Sequence, residues 1–162
     1  MRRLALALVL ATLSLPACAD PSADAYLAKS NAFLAANAKL PGVVVLPSGL
    51  QYKVLTAGAA GGASPLAADK VLVKYEARLM DGTVIDSSYQ RGQPAVFTVG
   101  ELIPAWTEAL QKMRPGDAWM LYAPPNLAYG AGGKGPVPPN SALVFKIELL
   151  AVLPRDASVG DG

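Results

Sequence analysis

The chain contains no histidine. That removes Ser-His-Asp and Cys-His nucleophilic chemistry and every metal site built on imidazole. Cysteine occurs once, at Cys18. A single thiol closes no internal disulfide, and a free one is a liability in an oxidising compartment. Charge is scarce: 16% of the 162 residues are Asp, Glu, Lys or Arg. The carboxylates are scattered, with no D-x-D-x-D-G spacing for calcium. The formal charge of +2 falls to zero without Arg2 and Arg3, and no basic run is present. Nothing here favours nucleic acid as a partner. The composition points to a function that works without a nucleophile, a metal or an imidazole base, and no cofactor is implied.

A phosphate loop is absent too, although one segment imitates it. Residues 129–139 read YGAGGKGPVPP. A P-loop needs G-x-x-x-x-G-K-[ST], so that backbone N–H groups wrap phosphates and a hydroxyl reaches magnesium. Gly133-Lys134 supplies the GK pair, but Ala128 stands at the first glycine position and Gly135 at the hydroxyl position. Two readings stay open from the residues alone: a loose linker, or a loop built to place Tyr129.

Long apolar runs are few. Residues 4–15 form one, behind Arg2 and Arg3 and ahead of Leu15-Pro16-Ala17-Cys18. A basic start, a short apolar stretch and a small residue describe a secretory signal. The run is shorter than the roughly 20 residues that span a bilayer. Residues 1–18 are therefore assigned to a signal peptide. Its end resembles a bacterial lipobox, in which Cys18 becomes the lipidated first residue; simple cleavage nearby is the alternative. Ala19, rather than Asp, after the cysteine implies the outer membrane. Contact with a membrane is expected only through that anchor.

The chain as a whole is 52% hydrophobic, enough for one core. Residues 20–40 read as a helix, with Asp20-Pro21-Ser22 at its start and Pro41-Gly42 at its end. Tyr26, Leu27, Phe33 and Leu34 share roughly one face. Such a face wants a partner, either a second copy or the main domain. Residues 19–47 are assigned to this arm and its linker, and 154–162 to a flexible tail. Extended runs follow at 43–45, 51–55, 69–79, 83–86, 95–99, 118–123 and 142–150. The run 69–79 alternates, with Val71, Val73, Tyr75, Ala77 and Leu79 on one face. Asp81-Gly82 signals a tight hairpin. Pro104 opens a short helix in which Trp106, Ala109, Leu110 and Met113 recur at helical spacing, and Pro115-Gly116 ends it. The expected architecture is α+β: an antiparallel sheet of five to six strands curved around one short helix.

Several segments now resemble the FKBP-type peptidyl-prolyl cis-trans isomerases. They are Val73-Lys74-Tyr75, Asp81-Gly82-Thr83 with Ile85-Asp86-Ser87-Ser88, and Leu102-Ile103-Pro104-Ala105-Trp106, then Leu127-Ala128-Tyr129-Gly130 and Val137-Pro138-Pro139-Asn140 with Leu143-Val144-Phe145. Each alone is weak; together they run in order over residues 48–153, the expected isomerase domain. The stretch 33–52, containing PSGLQY, is similar to the linker of bacterial periplasmic members, the macrophage infectivity potentiator group. The resemblance implies an aromatic pocket for a proline ring. Trp106 would be its floor, with Tyr75, Ile85, Phe97, Leu102, Ile103, Val137 and Phe145 as walls. Asp86 and Tyr129 would form the polar rim, and the Ile103 N–H a donor to the bound peptide. It implies Xaa-Pro segments of unfolded or exported polypeptides as substrates, FK506-like macrolides as ligands, a periplasmic location and a homodimer through the arm. The chain departs from the family where Ile85 replaces a usual Phe, where Ala95 stands for an aromatic, and where Ala105 replaces glycine. Ile85 and Ala95 motivate an alternative: a proline-segment-binding chaperone with little catalysis. Trp119 matches no pocket position and is assigned to the core.

Overall fold

The computed structural model describes residues 21–153. The signal, Cys18 and the tail 154–162 lie outside them. Helix α1 spans Pro21–Asn37 and α2 spans Pro104–Leu110. The strands are β1 (Val43–Val45), β2 (Gln51–Thr56), β3 (Lys70–Leu79), β4 (Val84–Ser87), β5 (Ala95–Thr98), β6 (Ala118–Ala123) and β7 (Leu143–Leu153). All seven join one antiparallel sheet, ordered β1-β2-β6-β7-β3-β4 with β5 also on β3. The expectation of five to six strands is therefore corrected to seven. The additional strand is the three-residue β1, which lies in the stretch read as linker and pairs with β2 at Val44↔Tyr52.

The alternation read in β3 holds: Val71, Val73, Tyr75 and Ala77 are buried. β3 shares its outer edge between two short partners. β5 pairs with Lys70–Val73 and β4 with Glu76–Arg78, so the chain from 88 to 94 leaves the sheet between them. The β3–β4 hairpin closes where Asp81-Gly82 predicts. Gly82 has φ of 89°, a conformation that costs a glycine nothing, and its N–H donates to the Leu79 carbonyl at 3.0 Å. α2 begins at Pro104, whose missing N–H has no intrahelical partner to lose. Ala105, Trp106, Ala109 and Leu110 are all buried, and join Val71, Val73, Leu121, Ile147 and Leu149 of the sheet in a single core.

The arm packs on its own domain, the second of the two partners that its apolar face left open. The packing face differs from the expected one. Leu34 is buried, Tyr26 and Phe33 are half-buried, and Leu27 is exposed. The residues buried between them are polar: Ser30 at 0% exposure and Asn37 at 5%. Each has its partners. Asn37 Nδ2 donates to Gln51 Oε1 at 2.8 Å, and Gln51 Nε2 donates back to the Leu34 carbonyl at 2.9 Å. Ser30 Oγ donates to the Asn140 carbonyl at 2.7 Å and accepts from the Ala142 N–H at 2.8 Å. The helix is keyed to the domain by hydrogen bonds that leave no buried polar atom of Ser30, Asn37 or Gln51 unpaired.

Removing Gln51 tests this docking. Gln51→Ala leaves the Asn37 side-chain N–H without a partner and the Leu34 carbonyl with the Ala38 N–H alone, at a cost of about 1–3 kcal/mol. A fall in the urea midpoint with an unchanged slope is the expected result.

Candidate active site

The sheet, α2 and the loop 129–137 surround a cavity of about 380 Å³. Its lining contains all ten pocket residues named above: Tyr75, Ile85, Asp86, Phe97, Leu102, Ile103, Trp106, Tyr129, Val137 and Phe145. Six segments of sequence supply them. β3 gives Tyr75, β4 gives Ile85 and Asp86, and β5 gives Phe97. The entry to α2 gives Leu102, Ile103 and Trp106; the loop 129–137 and β7 give the rest. Ala77 also lines the cavity, as do Lys134, Gly135 and Pro136 from the loop.

Trp106 organises the base. Its ring meets Tyr75 at 5.2 Å and 82°, Phe97 at 5.8 Å and 90°, and Phe145 at 5.7 Å and 89°. Each pair is edge-to-face, the geometry in which the positive ring edge meets the negative face. Rings held this way cannot slide as stacked ones do, so the floor has a fixed shape. Ile103 stands at the N-cap of α2 in extended conformation, with φ −58° and ψ 149°. Its carbonyl accepts from the Trp106 and Thr107 N–H groups. Among the described residues nothing accepts from the Ile103 N–H, so it is free to donate to a bound chain.

The polar rim is a three-membered network. Asp86 accepts from the Tyr75 hydroxyl and from Arg91, and Arg91 Nη2 also donates to Tyr75 Oη at 2.9 Å. The guanidinium lies 5.5 Å from the Tyr75 ring centroid. Burial works to raise the Asp86 carboxyl, but the Tyr75 and Arg91 hydrogen bonds and the Arg91 charge outweigh it and hold the group below the usual carboxylate range. Burial and the neighbouring carboxylate push the Tyr75 phenol up. Asp86 and Arg91 are each nearly half exposed, so their ion pair adds little to stability. What it supplies is orientation: Tyr75 forms cavity wall with one face while its hydroxyl fixes the carboxylate.

Arg91 was not found from the sequence. It stands in the irregular segment between β4 and β5, where no periodicity marks a residue and the family motif has already ended at Ser88. The spacing from Asp86, five residues across a turn, is the one signal that could have suggested it. The segment is tied down by Ser88, whose Oγ accepts from the Tyr75 N–H at 2.8 Å.

Residues 129–140 fold into a closed flap. At its neck the Asn140 N–H donates to the Gly130 carbonyl at 2.8 Å. At its tip Lys134 and Val137 exchange two backbone bonds, of 3.0 and 2.9 Å. In between, Gly133 has φ of 64°, and a Cβ there would lie 2.4 Å from the Val137 carbonyl oxygen. Only glycine fits. Val137 is buried at the far end of the flap, and the Lys134 ammonium sits 5.3 Å from the Tyr129 ring centroid.

A small antiparallel sheet closed by one helix, with an aromatic cavity between them and a hydrogen-bonded polar rim, defines the FKBP-like class of fold. Comparison with known proteins agrees. The family model described as FKBP-type peptidyl-prolyl cis-trans isomerase matches residues 61–150, and the model for the domain amino terminal to it matches residues 14–54. The chain belongs to the FKBP-type peptidyl-prolyl cis-trans isomerase family. It is similar to the peptidyl-prolyl cis-trans isomerase Mip of Coxiella burnetii, at 55% identity over 76% of this chain and 54% of that protein. It is also similar to the outer membrane protein MIP of Legionella longbeachae, at 51% identity over 82% of this chain and 57% of that one. Among solved structures it resembles FkpA from Escherichia coli, with a TM-score of 0.78 and 42% identity over 82% of this chain and 62% of that one. The chain spans just over half the length of the two Mip proteins.

The network predicts a pH response. The depressed carboxyl of Asp86 contributes stability that is present above its unfolded value and is lost as pH falls through the folded one. Arg91→Ala removes two of the influences that hold it down, so the titration midpoint of Asp86, read by NMR, rises towards the ordinary aspartate value. An unchanged midpoint would show that the Tyr75 hydroxyl and the Ser87 N–H hold the carboxyl down without Arg91.

Proposed function

We propose that this chain catalyses cis–trans isomerisation of the peptide bond before proline in exported polypeptides. The observation that carries the reading is the cavity, in which four aromatic rings form base and walls and a tethered carboxylate and a phenol stand at the rim. An Xaa-Pro bond is a tertiary amide with a rotation barrier of about 18–20 kcal/mol. No covalent bond needs breaking, which suits a chain with no histidine. The barrier is resonance lost as the C–N bond twists, and water raises it by solvating the planar, charge-separated amide. An apolar enclosure strips that solvation, so the twisted form loses less on entry than the planar one.

The roles follow from position. Trp106 carries the proline ring, and Tyr75, Ile85, Phe97, Leu102, Val137 and Phe145 wall it in. The Ile103 N–H holds the bound segment by one of its carbonyls. Tyr129 offers a hydroxyl from the flap side, and Asp86, already paired with Arg91, presents a fixed dipole in place of a free charge. Each tenfold in rate needs about 1.4 kcal/mol of differential binding, so these few groups make a modest catalyst. The same enclosure suits FK506-like macrolides.

The site of action we infer is the bacterial envelope, in the periplasm, with Cys18 as a lipid anchor at the outer membrane. The apolar run behind Arg2 and Arg3 and the name of the Legionella relative support this. A homodimer through the arm would have to use the outer face of α1, where Leu27 is exposed, because the inner face packs on its own domain.

A protease-free assay on an Ala-Leu-Pro-Phe peptide tests the activity. Tyr129→Phe and Asp86→Ala each lower kcat/KM roughly tenfold, equal to about 1.4 kcal/mol, without unfolding the domain. Trp106→Ala removes activity and about 3–5 kcal/mol of stability. Folded wild-type protein with no rate above background would sink the proposal. Peptide binding without that rate would favour the proline-segment-binding chaperone instead.

A further inference from the structure

We propose that the N-terminal arm positions the flap of the site, through Ser30 and Asn140; its effect on catalysis rests on the isomerase reading. Asn140 is the one non-glycine residue with positive φ among those described, at 55°. Asparagine tolerates the left-handed region better than most residues, yet the conformation still needs support. Three hydrogen bonds supply it. The Asn140 N–H donates to the Gly130 carbonyl at 2.8 Å, closing the neck of the flap next to Tyr129. Its Nδ2 donates to the Ala23 carbonyl at 3.2 Å, and its own carbonyl accepts from Ser30 Oγ at 2.7 Å. Two of the three come from α1, more than a hundred residues away in sequence.

Ser30 is the pivot. It is wholly buried, and its hydroxyl is used twice, donating to Asn140 and accepting from the Ala142 N–H at the entry to β7. One side chain of the arm thus fixes the last residue of the flap against the first turn of the strand that carries Phe145. The flap has little else to fix it: Gly130, Gly133 and Gly135 all take positive φ, and Lys134, Gly135 and Pro136 are exposed. Ser30 does not touch the cavity. It is a positioning residue, acting through Asn140 and Gly130 on where Tyr129 and Val137 stand.

The arm has a second attachment that serves as the control. Asn37, Gln51 and Leu34 bind at its other end, away from the flap. Gln51→Ala weakens docking there and leaves the Ser30–Asn140 link in place. The experiment measures amide hydrogen exchange of Lys134, Val137 and Asn140 in the purified full chain, without substrate, together with kcat/KM on the Ala-Leu-Pro-Phe peptide. Ser30→Ala is expected to speed exchange at these flap amides about tenfold and to lower kcat/KM roughly three- to tenfold. Exchange at Leu121 and Ile147, in the core strands, stays slow. Gln51→Ala lowers the melting temperature but leaves flap exchange at the wild-type rate. Should Ser30→Ala not fold, Asn140→Gly replaces it: the backbone bonds and the positive φ survive, only the bond to Ala23 is lost, and Val137 exchange rises by a smaller factor. Flap exchange unmoved by Ser30→Ala, or moved equally by Gln51→Ala, overturns the proposal. Because exchange is read without substrate, the two readings separate. An inactive wild type with arm-dependent flap exchange removes the isomerase reading and keeps the coupling; an active one with arm-independent exchange does the reverse.

Discussion

The indole of Trp106 lies where α2 meets the inner face of the sheet, and the edge-to-face contacts around it decide what the rest of the molecule can do. Tyr75, Phe97 and Phe145 reach it from β3, β5 and β7, so the ring ties α2 to three strands at once. A helix of seven residues would not hold its shape alone. It is stable here because Ala105, Ala109 and Leu110 are buried beside the tryptophan, and because Pro104 fixes its start. The same packing leaves the indole face open to the cavity. Stability and site therefore draw on one set of contacts, and a residue such as Phe145 is at once core and wall.

Around that floor the Asp86 carboxylate is held so that it does not face the apolar space as a free charge. Asp86 would be a poor neighbour for a proline ring if it stood alone. With Arg91 and the Tyr75 hydroxyl attached it becomes a fixed dipole at the rim, ionised but neutralised. This accounts for the lack of histidine without special pleading. The proposed isomerisation asks for a dry enclosure, a few oriented dipoles and a backbone donor, the role we propose for the Ile103 N–H. None of these has to gain or lose a proton during the reaction.

How much of this could be read in the sequence depended on whether a feature leaves a period. β3 was legible because burial on one face forces alternation, and α2 because Pro104, Trp106, Leu110 and Pro115 mark a start, a face and a stop. The cavity residues were legible only as a set of motifs in register; Trp106 or Tyr129 alone looks like ordinary core. Arg91 left no trace, since a turn imposes no spacing on the residue that happens to reach back. The run 43–45 reads as extended, but three residues between a helix end and a Pro-Ser-Gly turn look like linker, so β1 fell outside the strand count. The arm misled for a different reason. Amphipathic reasoning searches for apolar residues on the inner face, whereas the centre of this face is Ser30 and Asn37. A polar residue can be buried when its partners are supplied by another part of the chain, and that supply is invisible until residues 30 and 140 are seen side by side.

The run YGAGGKGPVPP then has a physical description. Its glycines are needed at particular points: Gly133 because the Val137 carbonyl occupies the space a side chain would fill, and Gly130 and Gly135 because the backbone turns through positive φ. A loop so rich in glycine has many conformations to lose on ordering, and the bonds within it are few. Two features reduce that loss. Pro136, Pro138 and Pro139 restrict the returning strand of the loop before it orders, and Asn140 anchors its end to the arm. The glycines permit the shape and the prolines with the arm make it persist, so Tyr129 can sit on a glycine-rich sequence and still hold a defined place at the cavity.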